Sequence, residues 1–326
     1  MKKYSLFPLI VIAIILIIIG YIIGKYLSSS PTFSEQRNQG SYKFINPLLE
    51  CDSSSKFSQN VSLSRLKPNL ENAISELQNS QYLSFASVYF RDLNNGPWLG
   101  INENENFSPA SLIKLPLAIA YYKEAEKNPA ILQELITIAT PSATEKQSIL
   151  PSVTLIPQKN YTVEELIEHM LIYSDNQAYY TLFDHIDNSL FVKNFTNLGI
   201  DISGAYTNPS GNIISVKSYA AFFRILFNAS YLNRDMSEKI LSLLSKVEYQ
   251  NALVKGVNNS KIPIAHKFGE RTFELTGEKQ LHDCGIVYYP QKPYLICIMT
   301  RGQDFSKLSS AIAKLSNIVY QSVAGN

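Results

Sequence analysis

Strand patterns occur near both ends of the folded part of this chain, and helical patterns fill the long stretch between them. Residues 84–92 are rich in β-branched and aromatic side chains, and a second strand pattern follows at 98–101. Residues 281–289 and 294–300 are almost continuously apolar, as expected for strands covered on both faces. This order predicts an α/β fold with one antiparallel sheet built from both chain ends, helices on both faces, and an all-α subdomain inserted at residues 108–255.

The helical patterns have apolar side chains at the spacing of one helix face. Thr162 and Glu165 have the spacing of a capping box and predict the start of a helix that leads towards Ser174. The other stretches with helical spacing are residues 66–77, 112–126, 215–227, 238–244 and 306–323.

An apolar segment at residues 6–23 follows Lys2 and Lys3 and approaches the ~20 residues that span a bilayer. It predicts an uncleaved single-pass anchor in the cell membrane, with the lipid bilayer as a partner and the folded domain on the extracytoplasmic side. A cleaved signal peptide is the alternative. The predicted organisation is a cytoplasmic stub and anchor, a flexible tether and one folded domain, at residues 1–27, 28–60 and 61–326.

Composition excludes several functions. The net charge is +2 and charged residues make up 17% of the chain, so no strong basic field indicates a nucleic-acid partner. Three cysteines are too few and too dispersed for a disulfide framework or a zinc cluster, and the four histidines include no HExxH pair. The chain is therefore predicted to need no metal and no cofactor.

The last two strand patterns also allow a prediction about cysteine pairing. Pro290-Gln-Lys-Pro293 is a plausible hairpin turn, which would pair Tyr289 with Tyr294. In that register Cys284 and Cys297 are diagonal neighbours, roughly 7–8 Å apart at Cα. This distance is beyond comfortable disulfide range, so two buried free thiols are predicted.

Three short stretches carry the candidate chemistry. Ser111-Leu-Ile-Lys114 places a hydroxyl and an amine on one helical face, and a buried lysine can lose its proton and activate a serine. Ser174-Asp-Asn176 adds a second hydroxyl and a carboxamide, and Lys267-Phe-Gly269 adds a cation on a strand. Each stretch alone is common, and what distinguishes this chain is their order and their separations of 63 and 93 residues along the chain.

In these three stretches, and in the strand and helix patterns around them, the chain resembles the penicillin-recognising serine enzymes. This group contains the class A β-lactamases and the related DD-peptidases, whose signature is S-x-x-K, S-D-N and K-T-G. The resemblance runs from about Leu66 to the carboxyl terminus and implies their three-layer fold and a catalytic domain at residues 61–326.

The resemblance also implies a role for each matching residue. Ser111 would be the acylated nucleophile, Lys114 its base, and Ser174 the proton relay to the leaving nitrogen. Asn176 would hold the substrate amide, and Lys267 would attract the substrate carboxylate. The backbone N–H groups of Ser111 and Glu270 would form an oxyanion hole. Three consecutive residues of the third stretch would bind substrate, namely Gly269, Glu270 and Arg271.

The chain departs from the family pattern in two places. At position 268 the family has a residue that donates a hydrogen bond to the substrate carboxylate, and this chain has Phe268. Arg271 lies an even number of residues from Lys267 and is a candidate to replace that contact. The alternative is that Arg271 is an ordinary solvated arginine. The loop at 199–215 contains no glutamate to activate a deacylating water, and Asp201 is its only acid. This absence favours an enzyme that β-lactams inhibit over one that hydrolyses them.

Three functions follow as alternatives. The leading one is a membrane-anchored DD-peptidase or transpeptidase-like hydrolase that acts on D-alanyl peptides of peptidoglycan and is acylated by β-lactams. The second is a class A-type β-lactamase with a non-standard deacylating group, and the third is a catalytically silent module that binds cell-wall peptide. The paired tyrosines Tyr121–Tyr122 and Tyr179–Tyr180 are interpreted as helix packing, and His282 as a hydrogen-bonded side chain in a buried strand.

Overall fold

The computed structural model describes residues 36–37, 42–46, 48–50, 63–94, 96–139, 147–197, 200 and 211–325. Two compact units divide the chain, one of residues 1–40 and 47–59 and the other of residues 41–46 and 60–326. In the first unit, β1 (Gln36–Arg37) pairs antiparallel with β2 (Leu48–Glu50). The predicted anchor at 1–27 and Cys51 lie outside the described residues. None of the described helices is both long and apolar enough to cross a membrane.

In its described residues the second unit contains a five-stranded sheet and two short strand pairs. The sheet has the order β4-β3-β11-β10-β9, and every neighbouring pair is antiparallel. It thus joins both chain ends, as predicted. The strands of this unit are β3 (Phe85–Asp92), β4 (Trp98–Ile101), β5 (Asn106–Phe107), β6 (Leu135–Thr137), β7 (Asn160–Thr162), β8 (Ile214–Ser215), β9 (Ile264–Thr272), β10 (Lys279–Val287) and β11 (Tyr294–Gly302).

Helices cover both faces of this sheet. Nearly every residue of β10 and β11 is buried, and successive side chains point to opposite faces, so both faces are covered. Helices α1 and α9 pack against the sheet and each other, and α6 packs against β3, β10 and β11. The α-helices of the described residues are α1 (Leu63–Asn79), α2 (Lys114–Ala125), α3 (Val163–Ile172), α4 (Asn176–His185), α5 (Asn188–Asn197), α6 (Val216–Phe227), α7 (Arg234–Leu244), α8 (Leu253–Val257) and α9 (Phe305–Ala324).

The inserted region is mainly helical, but the prediction that it is all-α was incomplete. Strands β6 and β7 pair within it, and β8 pairs with β5 at its edge. These strands are two or three residues long, which is too short for alternation of side chains to reveal them in the sequence. The capping box at Thr162 and Glu165 is formed and begins α3.

The prediction of two free thiols was wrong, because the hairpin register differs from the predicted one. Val287 pairs with Tyr294, so the turn spans residues 288–293 and is two residues longer than the predicted turn at 290–293. Inside it the Lys292 N–H donates to the Tyr289 carbonyl at 3.0 Å. Cys284 and Cys297 are then directly opposite, with Cα atoms 3.9 Å apart, and form a disulfide.

Part of the predicted tether belongs to the folded unit. The backbone N–H groups of residues 43–45 donate to the Glu238 carboxylate of α7 at 2.7 to 3.0 Å. Phe44 and Ile45 are buried, and the Tyr42 hydroxyl donates to Asp235 at 2.7 Å. Residues 42–46 are therefore fixed to α7, because two apolar side chains are buried and three backbone donors are satisfied.

Candidate active site

Ser111 and Lys114 lie where a short 3-10 helix, Ala110–Ile113, continues into α2. Ala110 has a φ of 47°, a left-handed conformation that costs energy for a residue with a Cβ. The Tyr219 hydroxyl donates to the Leu112 carbonyl at 3.0 Å and fixes this turn. As a result Lys114 is buried at the first position of α2, one turn beyond Ser111.

Ser174 lies in the short connection between α3 and α4 and also has a positive φ, of 57°. Asp175 caps α4, because its carboxylate accepts the Ala178 N–H at 3.0 Å. Asn176 then begins α4. The described part of the site thus has strained backbone at two residues. Ala110 directly precedes the candidate nucleophile, and Ser174 is itself the candidate relay.

The Lys114 amine joins the first two stretches of the sequence. Its Nζ donates to the Ser174 carbonyl at 2.5 Å and to Asn176 Oδ1 at 2.6 Å, and lies 3.3 Å from Ser174 Oγ. Three oxygens thus surround one buried amine. The Asn176 carboxamide uses its oxygen here, which leaves its NH₂ group as a donor for a ligand.

Lys267 brings the third stretch to the same hydroxyl. Its Nζ donates to Ser174 Oγ at 2.8 Å and to the Phe268 carbonyl at 2.9 Å. Burial lowers the pKa of Lys267 well below its usual value and the nearby Lys114 charge lowers it further, while Asp283 acts in the opposite direction. The Ser174 hydroxyl therefore lies between two amines that cannot both easily hold a full charge.

The third stretch approaches the nucleophile through its glycine. A Cβ at Gly269 would lie 3.1 Å from the Ser111 nitrogen and 3.0 Å from the Leu112 nitrogen, so a side chain there would push strand and helix apart. Phe268 is buried and its ring centroid lies 4.3 Å from that of Tyr249. Phe268 thus packs in the core.

Glu270 and Arg271 continue along the edge strand β9 past Gly269. Glu270 Oε1 accepts the N–H groups of Ser148 and Ile149, both at 2.6 Å. Arg271 is exposed, and its Nη1 donates to Ser108 Oγ at 2.9 Å. Arg271 therefore reaches the segment that precedes the candidate nucleophile.

Two cavities meet at this site. A cavity of about 420 Å³ contains Ser111, and a larger groove of about 1010 Å³ lies beside it. Asn176 and Tyr180 line both. The smaller cavity is lined by Ser108, Pro109, Ala110, Ser111, Ile113, Lys114, Asn176, Tyr179, Tyr180, Phe183, Phe191, Gly211, Ile213, Glu270 and Arg271.

The tyrosine pairs divide between packing and site. Tyr121 and Tyr122 are buried, as predicted for helix packing. Tyr179 packs against the core and stacks on Phe183, with ring centroids 5.7 Å apart, whereas Tyr180 is exposed; both also line the Ser111 cavity. The sequence did not distinguish the two cases, because both pairs lie on helices with similar neighbours.

The strand behind the site holds His282 in a neutral form. Its Nε2 lies 3.0 Å from the Ser108 carbonyl, and burial lowers its pKa to about 3. The predicted hydrogen-bonded strand histidine is therefore present, while Cys284 on the same strand is in the disulfide. Among the described residues, no cluster of His, Cys, Asp or Glu has the arrangement of a metal site.

The structure thus brings the predicted site residues around one cleft. Ser111, Lys114, Asn176, Glu270 and Arg271 line one cavity, and the lysines contact Ser174 from two sides; Gly269 lies against the Ser111 nitrogen. Sequence reasoning missed Gln147, whose Nε2 donates to the Ser174 carbonyl at 3.2 Å. Asp201 lies outside the described residues.

Comparisons with known proteins agree with this geometry. A sequence model described as the Beta-lactamase enzyme family matches residues 69–323. No curated protein matches the chain at a significant level. Among solved structures, a mutant of PBP-A in an acyl-enzyme complex with penicillin G is similar at 23% identity and a TM-score of 0.66, over 81% of this chain and 98% of that one.

Two β-lactamase structures are similar to the same extent. The one from Xanthomonas campestris pv. campestris has 20% identity and a TM-score of 0.67, over 79% of this chain and 98% of its own. The one from Sphaerobacter thermophilus has 19% identity and a TM-score of 0.68, over 79% and 97%. At these identities the likeness concerns the fold.

Proposed function

The chain belongs to the beta-lactamase enzyme family, and from this premise we propose that it is a serine acyl-enzyme of the DD-peptidase or transpeptidase type. Its substrates would be D-alanyl peptides of peptidoglycan, and β-lactams would acylate the same serine. The observation that carries the proposal is the Ser174 hydroxyl, which two buried lysines from distant parts of the chain contact at 2.8 and 3.3 Å.

In the proposed acylation, Ser111 attacks the carbonyl carbon of the substrate amide. Lys114, as the neutral amine, takes the Ser111 proton while the new C–O bond forms. The amide C–N bond then breaks, and the leaving nitrogen takes the proton of the Ser174 hydroxyl. Lys114 returns a proton to Ser174, so the relay ends in its starting state with one acyl group on Ser111.

The two lysines explain why this relay suits a neutral pH. Ser174 Oγ has two lone pairs, and if both lysines donate to it, its own proton is left for the cleft. Since burial and the Lys114 charge lower the pKa of Lys267, one amine of the pair can be neutral without a carboxylate base.

Arg271 supports a substrate with a carboxylate. It lines the Ser111 cavity and is held by Ser108 Oγ at 2.9 Å, whereas Lys267 is buried and contacts Ser174. A guanidinium forms forked hydrogen bonds with a carboxylate, which would compensate for the absent hydroxyl at Phe268. The N–H groups of Ser111 and Glu270 would bind the oxyanion.

Slow release of the acyl group follows from the sequence of the loop at 199–215. It contains no glutamate, and loss of a general base typically slows a step by ~10²–10⁴-fold. The proposed enzyme is therefore acylated by penicillin and hydrolyses the ester slowly, with water or an amine as the natural acceptor.

The proposed location is the outer side of the cell membrane. The apolar segment at 6–23 after two lysines supports a single-pass anchor. The Cys284–Cys297 disulfide supports an oxidising compartment, because such bonds are rare in reducing cytosol.

Intact mass spectrometry of the full chain in detergent, after exposure to benzylpenicillin, tests the function. A long-lived adduct is expected in the wild-type protein and in the matched control Ser310→Ala, at a partly exposed position on α9, and no adduct in Ser111→Ala. Rapid turnover to ring-opened product would instead indicate a β-lactamase. No adduct with penicillin or with a D-alanyl peptide thioester would indicate a binding module.

A further inference from the structure

One side chain crosses the cleft of the candidate active site. Glu270 extends from β9, and its Oε1 accepts the N–H groups of Ser148 and Ile149, each at 2.6 Å. Gln147, beside them, donates to the Ser174 carbonyl at 3.2 Å. Residues 147–149 are therefore tied to both walls of the cleft, to β9 on one side and to Ser174 on the other.

This contact lies where the two cavities meet. Glu270 lines the Ser111 cavity, whereas Gln147 and Leu150 line the larger groove. The contact joins Glu270 to Ser148 and Ile149, which stand in the chain between Gln147 and Leu150, so it lies beside the route of a ligand chain from Ser111 into the groove. The groove holds about 1010 Å³, enough for several residues of an extended chain.

The two N–H groups that Glu270 accepts indicate which ligand atom could bind in place of its carboxylate. Two successive backbone N–H groups aimed at one oxygen form a site for a carboxylate or carbonyl oxygen. A peptide that extends from Ser111 offers carbonyl oxygens of this kind. The described residues that line the groove include Asp175 and Asp184 and no lysine or arginine. The groove therefore disfavours an anionic peptide and can accept a neutral or cationic one.

Resting on the proposed function, we propose that the Ser148 and Ile149 N–H groups are a subsite for a carbonyl oxygen of an extended peptide substrate. In the free protein the Glu270 carboxylate fills this subsite. A compact substrate that stays in the Ser111 cavity leaves Glu270 in position. A longer one displaces it, and the cost of that displacement makes Glu270 a residue that determines specificity.

Acylation rates with two probes test this proposal on the full chain. The short probe is 6-aminopenicillanic acid, and the long probe is the same nucleus acylated by a neutral tripeptide. In Glu270→Ala the ratio of the long-probe to the short-probe rate constant should rise about tenfold, because hydrogen bonds to a charged group no longer oppose the long probe. Glu270→Gln, which keeps a neutral acceptor, should give a smaller rise.

Glu248→Ala is the matched control. Glu248 holds the same loop further along, through the Ser152 N–H at 3.0 Å and the Ser152 hydroxyl, but lines neither cavity. In Glu248→Ala the ratio of the long-probe to the short-probe rate constant should equal that of the wild-type protein. An equal rise in Glu248→Ala would mean that any loosening of the loop has this effect, and would overturn the subsite.

Amide hydrogen exchange gives a second measurement that does not depend on rates. In free Glu270→Gln, Ser148 and Ile149 should exchange faster than in the wild-type protein, and the long-probe adduct should restore protection while the short-probe adduct does not. Unchanged rate ratios in Glu270→Ala, or equal protection by both probes, would refute the subsite alone. No adduct with either probe in any variant would refute the proposed function, and the subsite with it.

Discussion

The two faces of the β9–β10 strand pair bury charge in opposite ways. On one face, Lys267 donates to a hydroxyl and a carbonyl and lies close to a second buried amine, Lys114. On the other face is His266, the residue before Lys267. Its Nδ1 is 2.8 Å from the Asp283 carboxylate, and both side chains are buried. Asp283 also accepts the Leu253 N–H at 3.1 Å.

This difference separates a stabilising cluster from a reactive one. A buried carboxylate that accepts hydrogen bonds from two sides is satisfied, and its removal would leave its buried partners unpaired. Two buried amines around one hydroxyl repel each other, and this repulsion adds to burial in lowering the pKa of Lys267. The strand pair therefore carries stability on one face and the proposed chemistry on the other.

The largest effect is expected from Lys267→Met. Acylation by benzylpenicillin should slow by ~10²–10³-fold, because the amine that donates to the Ser174 hydroxyl and orients it is removed. The melting temperature should stay the same or rise, since an apolar chain of similar length replaces a buried amine. Rapid mixing with mass detection and calorimetry measure the two quantities. A lower melting temperature with unchanged acylation would contradict the division between the faces.

Asp283→Ala should act mainly on stability. It leaves His266 and the Leu253 N–H without their buried acceptor, and breaking a buried pair costs ~3–5 kcal/mol of unfolding free energy. Urea unfolding measures the loss. Asp304→Ala, which removes only the amino-terminal cap of α9, is the control and should cost ~1 kcal/mol. A similar loss in both variants would show that the Asp283 cluster is no special source of stability.

Loss of the disulfide should cost less. Cys284 is directly opposite Lys267 in the register, so the bond lies on the face of the proposed chemistry. It joins residues separated by 13 positions, and for a loop of that size chain entropy gives about 3 kcal/mol. Unfolding of Cys284→Ala/Cys297→Ala, and of the wild-type protein with and without reductant, measures this. If reductant destabilises the double variant as much as the wild type, the bond is not the cause.

The smallest effect is a pH dependence from His282. Burial lowers its pKa to about 3, whereas the unfolded chain takes up the proton near the usual value of 6.5. The unfolded state therefore binds more protons in this window, and stability falls as the pH drops, by ~2 kcal/mol between pH 6.5 and 5.

Unfolding of His282→Gln across this range isolates that contribution, because the variant should lack the extra slope. Equal slopes in His282→Gln and the wild-type protein would mean that another group causes the dependence.

Most of the fold could be predicted because its signals are local. Apolar spacing located the long helices within a few residues, and continuous apolar runs located β10 and β11. The hairpin register could not be predicted in the same way, since the turn spans residues 288–293 and is two residues longer than the sequence at 290–293 indicates. That shift of register is what places the two cysteines opposite each other.

The candidate site divides along the same line. Ser111 and Lys114 are three residues apart, so helical geometry alone puts them on one face. The side chains of Gln147 and Glu270 carry no sequence signal, because their partners are backbone groups distant in the chain. Backbone donors are the same at every residue, so sequence cannot indicate which of them a side chain will meet.

The sequence by itself determined the inventory of reactive groups, their order, and the elements that carry them, because residue type and short-range spacing fix these. Only the tertiary structure decided that the Ser174 hydroxyl lies between Lys114 and Lys267, and that Glu270 spans the cleft. These contacts join residues far apart in the chain, and their distances depend on how the sheet and helices pack together. The lowered pKa of Lys267 arises from that burial and from the nearby Lys114 charge, neither of which an isolated lysine has.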